Sequence, residues 1–273
     1  MILRKTGFTE LSNDDLMAVA PSVFAGGAMA GVSDRYAFLP TINVVDGMRK
    51  NGWLPVKAVE QRVRLDERRG FQKHMIRFQR AEQIGNMALG LRTEVVLLNS
   101  HDRSSAYQLH AGLFRLVCAN GLTVSDSTFS HISIRHSGFK PENVIEGSFK
   151  LLEDVPQIEG KVAAFQGQEL DETGRRALAE SALLLKYDDL ATAPISADNV
   201  LIVRRSDDRK NDLWTTYNVI QENLMQGGLR DNRRHREDGS RFKRTGQVKS
   251  IDENVRLNKA LWHLTETMAK TLA

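Results

Sequence analysis

The hydrophobic period of this chain changes near Asn143. Before that point, residues alternate apolar and polar from Trp53 to Leu65 and again from Phe71 to Arg80, the period of a half-buried strand. After it, Val144, Ile145, Phe149, Leu151, Leu152 and Val155 return at helical intervals. An α+β fold follows: an N-terminal mixed α/β half with antiparallel hairpins, and a C-terminal half that is mostly helical. The expected division is residues 1–140 and 141–273, as two regions or as one continuous domain.

Punctuation residues refine the pattern. Ser12 or Asn13 caps a helix that carries Asp14 and Asp15 in its first turn, where the helix dipole favours acids. Tyr36–Leu39 reads as a short strand stopped by Pro40, and Thr41 as the cap of a helix carrying Val44, Val45 and Met48 and ending at Asn51-Gly52. Asp66–Gly70 is the polar loop of a hairpin made by the two alternating runs. Strands are also expected at Glu94–Leu98, Tyr107–Cys118, Leu122–Val124 and His131–Arg135. Asp171–Tyr187, Leu213–Met225 and Asp252–Leu272 read as helices, the second ended by Gly227-Gly228.

Composition narrows the function classes. A chain that is 41% hydrophobic and 26% charged folds rather than staying disordered. Apolar runs such as Val95-Val96-Leu97-Leu98 fall far short of the roughly 20 residues of a membrane span. Met1-Ile2-Leu3-Arg4-Lys5 has no apolar signal region, so a cytoplasmic location and no membrane partner are expected. The single cysteine, Cys118, allows no disulfide framework and no cysteine metal site. Ala25–Gly31 is rich in small residues but lacks the Gly-Lys-Ser/Thr ending of a phosphate loop. No motif calls for a cofactor or a metal.

The net charge of +4 is unevenly distributed. Residues 62–80 hold seven Lys/Arg against two acids, and residues 226–250 hold eight against three, so each stretch is +5. The remainder is −6, much of it between Glu142 and Asp189. Charge segregated in this way steers a polyanion and says nothing about fold. If the hairpin continues through both runs, Arg62, Arg64, Lys73 and Arg77 share one strand face, with Arg68 and Arg69 at the loop tip. Such a face either follows a phosphate backbone or is merely solvated. The second stretch, with Arg230, Arg233, Arg234, Arg236, Arg241, Lys243, Arg244 and Lys249 among glycines, reads as a mobile arm that orders against phosphates. Phe242 within it either stacks on a base or pins the loop to the core.

Leu98-Asn99-Ser100-His101-Asp102 follows an apolar strand, a place where catalytic groups often sit. His101 as base with Asp102 as its orienter, or both as metal ligands, would suit a metal-dependent phosphodiester hydrolase. Against this, adjacent residues in an extended chain point apart, and no third ligand or nucleophile elbow is recognisable. The alternative is a strand-end turn in which Asn99 and Asp102 bond backbone groups.

Several strings carry a resemblance: Ser33–Ile42, Lys73-His74-Met75-Ile76-Arg77, Leu97–Asp102 with Tyr107-Gln108, Phe114-Arg115 with Cys118–Leu122, and Ile251–Val255 before Asn258–Trp262. From about residue 12 onward the chain resembles the YafZ/YfjQ family, within a group of phage- and plasmid-like proteins. The resemblance brings no catalytic residue with it. It implies a prophage or plasmid setting, with a role in handling DNA or in managing the host's response to it. The mixed α/β half with its hairpin is also loosely similar to phage single-strand annealing proteins, which form rings and hold ssDNA in a basic groove, a likeness that implies a homo-oligomer. The expectations are therefore DNA binding, ssDNA binding or annealing included; the hydrolase centred on His101 and Asp102; or an interaction protein that inhibits a host defence factor through its acidic 142–189 stretch.

Overall fold

The computed structural model describes residues 9–31, 38–84, 91–115, 122–123, 132–134, 146–147, 149–150, 153, 155–231 and 244–272. The protein is α+β and divides into two compact units, Met1–Val155 and Pro156–Ala273.

The first unit opens with helix α1, Asn13–Val19, which Ser12 begins with a capping box: Ser12 Oγ accepts from the Asp15 amide and the Asp15 carboxylate accepts from the Ser12 amide. A 3-10 turn at Pro21–Phe24 leads to α2, Thr41–Lys50, which buries Val44, Val45 and Met48 on one side. The sheet follows in the order β1 (Trp53–Glu60), β2 (His74–Arg80), β3 (Leu91–Asn99), β4 (Tyr107–Arg115), with β5 (Leu122–Thr123) and β6 (Ile132–Ile134) both pairing on β4. Every pairing is antiparallel. The two alternating runs do form a hairpin, but pairing stops at Glu60↔His74, short of Leu65 and Phe71.

Register sorts the side chains. His74, Ile76 and Phe78 stand opposite Asn99, Leu97 and Val95, and Leu97 and Val95 stand opposite Leu109 and Ala111. This face lies beneath α2, because Thr41 bonds both His74 and Asn99. Ile76, Phe78, Val95, Leu97 and Leu109 are buried there, each burial favouring the fold by about 1.5–3 kcal/mol. The opposite face carries Arg77, Val96 and His110 in register, with Gln79 and Glu94 diagonal to them. At the edge, Pro55 can donate nothing to a further strand, β1 carries a register shift between Pro55 and Lys57, and Leu11 N donates to Pro55 O at 2.7 Å.

Thr41 departs from its expected role. It is the first residue of α2, Pro40 holds the cap position, and no side chain caps the helix. Of Tyr36–Leu39, the expected strand, Tyr36 and Ala37 lie outside the described residues, and Phe38 and Leu39 are in no strand.

The second unit comprises α3 (Val155–Gln166), α4 (Glu172–Leu184), a short α5 (Ala197–Val200), α6 (Leu213–Gln226) and α7 (Ile251–Leu272). Every residue of α6 from Leu213 to Met225 is buried. Phe165, Trp214, Tyr217 and Trp262 meet in one aromatic cluster, with Trp214 and Tyr217 stacked at 5.6 Å. Some polar residues of α6 are answered: Arg205 forks onto Glu222, and Asn223 donates to Val200 O and Ile202 O, whereas the Thr216 and Tyr217 hydroxyls are buried without a hydrogen-bond partner among the described residues. Gly227 ends α6 at φ 62°, and a side chain there would run into the backbone of Thr245 and Gly246.

Candidate nucleic-acid interface

The segment between β1 and β2 is closed at its base and open at its tip. Gln61 N donates to Lys73 O at 2.8 Å. The Glu60 carboxylate accepts from Ser22 N at 2.8 Å and from Gln72 Nε2 at 2.5 Å, and Gln72 Oε1 accepts from Gly70 N at 2.6 Å. These bonds hold the Glu60 and Gln72 side chains at the loop base, where the ladder ends at Glu60↔His74, and the alternating pattern outruns the strands. Beyond the base, Asp66–Arg68 forms a 3-10 turn, in which Arg68 N donates to Leu65 O at 3.1 Å and Arg69 N to Asp66 O at 3.0 Å. Gly70 then reverses the chain at φ 84°.

The basic residues of this segment meet different fates. Arg62, Arg64, Arg68 and Arg69 are exposed. Arg69 pairs with Asp66 at 2.9 Å, and Arg68 stands 3.9 Å from Asp102. Among the described residues, Arg62 and Arg64 form no ion pair and no hydrogen bond. The single face of Arg62, Arg64, Lys73 and Arg77 expected from alternation does not form. Arg62 and Arg64 lie beyond the end of β1, Lys73 is buried, and Arg77 forks onto Glu94, whose side chain is 1% exposed. Gln79 Nε2 also donates to Glu94, at 2.6 Å. Glu94 is 17 residues from Arg77 in the chain and adjacent to it across the sheet, so a local count of acids misses it.

His101 and Asp102 sit in the turn after β3, joined to residues that sequence spacing did not group with them. Thr41 Oγ1 lies 3.1 Å from His101 Nε2, 3.0 Å from His74 Nε2 and 2.9 Å from Asn99 Nδ2, while His74 and His101 have ring centroids 5.6 Å apart. On its other side His74 Nδ1 meets Ser22 Oγ at 2.8 Å and the Gln72 carbonyl at 3.3 Å. A carbonyl only accepts, so that contact assigns the His74 proton to Nδ1 and leaves its Nε2 to accept from the Thr41 hydroxyl. That hydroxyl has one proton to give, so His101 Nε2 carries its own proton and donates to Thr41. Burial, then the neighbouring His101, lower the His74 pKa to about 3, against the raising effects of the Gln72 carbonyl and Asp102.

Asp102 forms the turn expected of it: its Oδ1 accepts from Ser104 N at 3.0 Å, with Arg103 between them at φ 69°. Burial raises its pKa, but bonds from Ser104 and Ser100 and the charge of Arg68 outweigh it, so the carboxyl titrates below its ordinary value. Asn99 bonds the Thr41 side chain rather than the backbone group expected for it. His101 is 0% exposed, its amide donates to Phe71 O at 2.8 Å and its carbonyl accepts from Met29 N. The pair His101 and Asp102 therefore ties the basic loop to the sheet and to the 25–31 segment. No group of three or more metal-ligating side chains occurs among the described residues.

Of the second basic stretch, Arg233, Arg234, Arg236, Arg241, Phe242 and Lys243 lie outside the described residues. Its two ends are held together: Gly228 N donates to Thr245 O at 2.7 Å, Thr245 N to Leu229 O at 2.8 Å, Arg244 Nη1 to Gly228 O at 2.6 Å, and Arg230 bridges to Arg244. No helix among the described residues is long and apolar enough to cross a membrane.

A family model described as a domain of unknown function, DUF932, matches residues 28–262. The chain belongs to the DUF932 family. It is 38% identical over 262 residues to the UPF0380 proteins YfjQ and YafZ of Escherichia coli (strain K12), covering 96% of this chain and 93% of each relative. No solved structure matches it. The DUF932 match takes in α2, the whole sheet, the 61–73 loop with its His74–Thr41–His101 support, and the second basic stretch. The first helix, with its capping box, precedes it.

Proposed function

We propose that this DUF932 protein is a sequence-tolerant DNA-binding protein whose contact with DNA begins at the loop of residues 61–70. The observation that carries the reading is the state of Arg62 and Arg64: exposed, without partners among the described residues, and on a loop whose base is fixed by Glu60, Gln72 and His101. A guanidinium held in water with no carboxylate beside it is ready to neutralise a phosphate, and counterions released from the duplex supply the free energy. Arg68 and Arg69 add charge on the far side of the turn, and the stretch between Arg230 and Arg244 is the expected second contact. The setting proposed is phage and plasmid DNA, by resemblance to the group in which the YafZ/YfjQ family falls.

The experiment is a fluorescence-anisotropy titration of short single-stranded and duplex DNA at two salt concentrations. Each phosphate contact contributes about 0.9 to the slope of log affinity against log salt on duplex and about 0.7 on single strands. Arg62→Glu with Arg64→Glu is expected to weaken binding and flatten that slope by roughly two contacts' worth. Unchanged affinity in the double variant would sink the loop's role. The hydrolase reading draws no support from His101 and Asp102, which are built into a buried turn.

A further inference from the structure

Leu65, in the middle of the arginine loop, is 55% exposed, more than any other large hydrophobic residue among the described residues. Its neighbours are Arg62 and Arg64 on one side and Arg68 and Arg69 on the other, all exposed. Its backbone is fixed: φ is −88° and ψ 122°, and its carbonyl accepts the Arg68 amide that opens the 3-10 turn. An apolar side chain held out in water by an ordered turn has lost much of its freedom before any partner arrives. Of the two acids in the turn, Asp66 pairs with Arg69, leaving Glu67 against Arg62, Arg64 and Arg68, the last of which also stands 3.9 Å from Asp102.

We propose that Leu65 is a wedge that enters a base step of duplex DNA while the flanking arginines grip the phosphates on either side. The proposal rests on the DNA-binding reading and specifies its substrate as the duplex. Proteins that kink DNA insert apolar side chains of this kind, leucine included, between base pairs, with arginines beside them. Binders of single strands use aromatic faces on which bases stack, and an isobutyl group offers no such face. The inserted side chain leaves water and the unstacked step bends, which brings further phosphates towards the arginines. Flexible pyrimidine–purine steps unstack most easily and are the steps at which the wedge acts.

The test uses the full chain and a short duplex carrying 2-aminopurine at an internal TA step, with a donor and acceptor dye on its ends. Wild-type protein is expected to raise 2-aminopurine fluorescence severalfold and to bring the ends closer. Leu65→Ala is expected to bind within a fewfold of wild type while both signals fall towards those of free duplex, and Arg62→Ala with Arg64→Ala to lose affinity instead. Leu65→Gln, whose polar side chain suits the exposed site, serves as a second variant if Leu65→Ala does not fold. A wild-type complex without unstacking, or an unstacking signal that survives loss of the leucine, overturns the wedge and leaves DNA binding standing. Binding confined to single strands does the same. No binding to either form at low salt removes the DNA-binding reading, and the wedge with it.

Discussion

Residues 62–69 and residues 73–80 are both basic, and the fold treats them in opposite ways. The first stretch holds four arginines and two acids of its own, yet Arg62 and Arg64 stand exposed and, among the described residues, unpaired. The second holds Lys73, Arg77 and Arg80 with no acid at all, yet Arg77 forks onto Glu94 and Arg80 pairs with Glu82 at 3.0 Å. The difference lies in what each stretch is built into. A strand imports partners from its neighbours, and β3 delivers Glu94 beside Arg77, whereas in the loop Asp66 lies beside Arg69, Asp102 reaches Arg68, and no described acid reaches Arg62 or Arg64. Local charge density therefore points to a candidate surface only where the chain leaves the sheet.

The largest expected effect falls on the paired stretch. Glu94→Gln removes the carboxylate onto which the Arg77 guanidinium forks, and the Arg77 side chain is only 11% exposed. Removing one partner of a buried pair costs about 3–5 kcal/mol, because the other charge stays desolvated. Urea unfolding should show the loss as a lower midpoint with an unchanged slope. A midpoint close to that of wild type would mean that Arg77 is as free as Arg62, and the contrast between the stretches would collapse.

Acid should act next most strongly, through the histidine that begins β2. His74 titrates at about 3 in the fold against 6.5 unfolded, so below 6.5 the unfolded chain binds a proton that the native state refuses. The stability that this neutral histidine contributes is fully present above 6.5 and is lost as pH falls towards 3, by up to about 1.4 kcal/mol per pH unit. Asp102, whose carboxyl is also lowered, loses stability in the same direction but further into acid. Unfolding free energies measured at about pH 7 and about pH 5 should differ in wild type by more than in His74→Gln. Equal differences in the two proteins would remove His74 as the titrating group.

Arg80 lies between the extremes. It pairs with exposed Glu82 and stands over the Trp53 ring at 5.6 Å, so it belongs to the paired stretch but at its surface. An exposed pair contributes little and the cation–π contact only modestly, so Arg80→Ala should lower stability by much less than Glu94→Gln. A loss as large as that from Glu94→Gln would place Arg80 in the buried network instead.

The elements that are periodic over many residues were legible in the sequence. Leu213–Met225 and Asp252–Leu272 differ from α6 and α7 by one residue each, because three or more turns of a buried stripe leave little choice of boundary. The hairpin was legible too, but not where it stops. Alternation continues to Leu65, while the ladder ends at Glu60↔His74, where the Glu60 carboxylate accepts from Gln72 and Ser22. The cluster around Thr41 left no local trace: its other members come from β2, β3 and the following turn, 33 to 60 residues from Thr41. The only usable signal was register. Once His74 is placed opposite Asn99, His101 two residues further on returns to the same side of the chain, and two scattered histidines become neighbours.

The smallest expected change in stability is at the residues on which function is proposed to depend. Arg62→Ala with Arg64→Ala removes two side chains that touch no described partner, and substitutions of that kind stay within about 0.5 kcal/mol. Thermal and urea unfolding of this double variant should overlay wild type, while Glu94→Gln, in β3, is strongly destabilised. If the double variant unfolds early, the arginines are holding the loop together, and their exposure is no sign of a partner. If it unfolds with wild type and its DNA affinity falls, the two stretches separate cleanly: one supplies the charge that builds the sheet, the other the charge that is left over for phosphate.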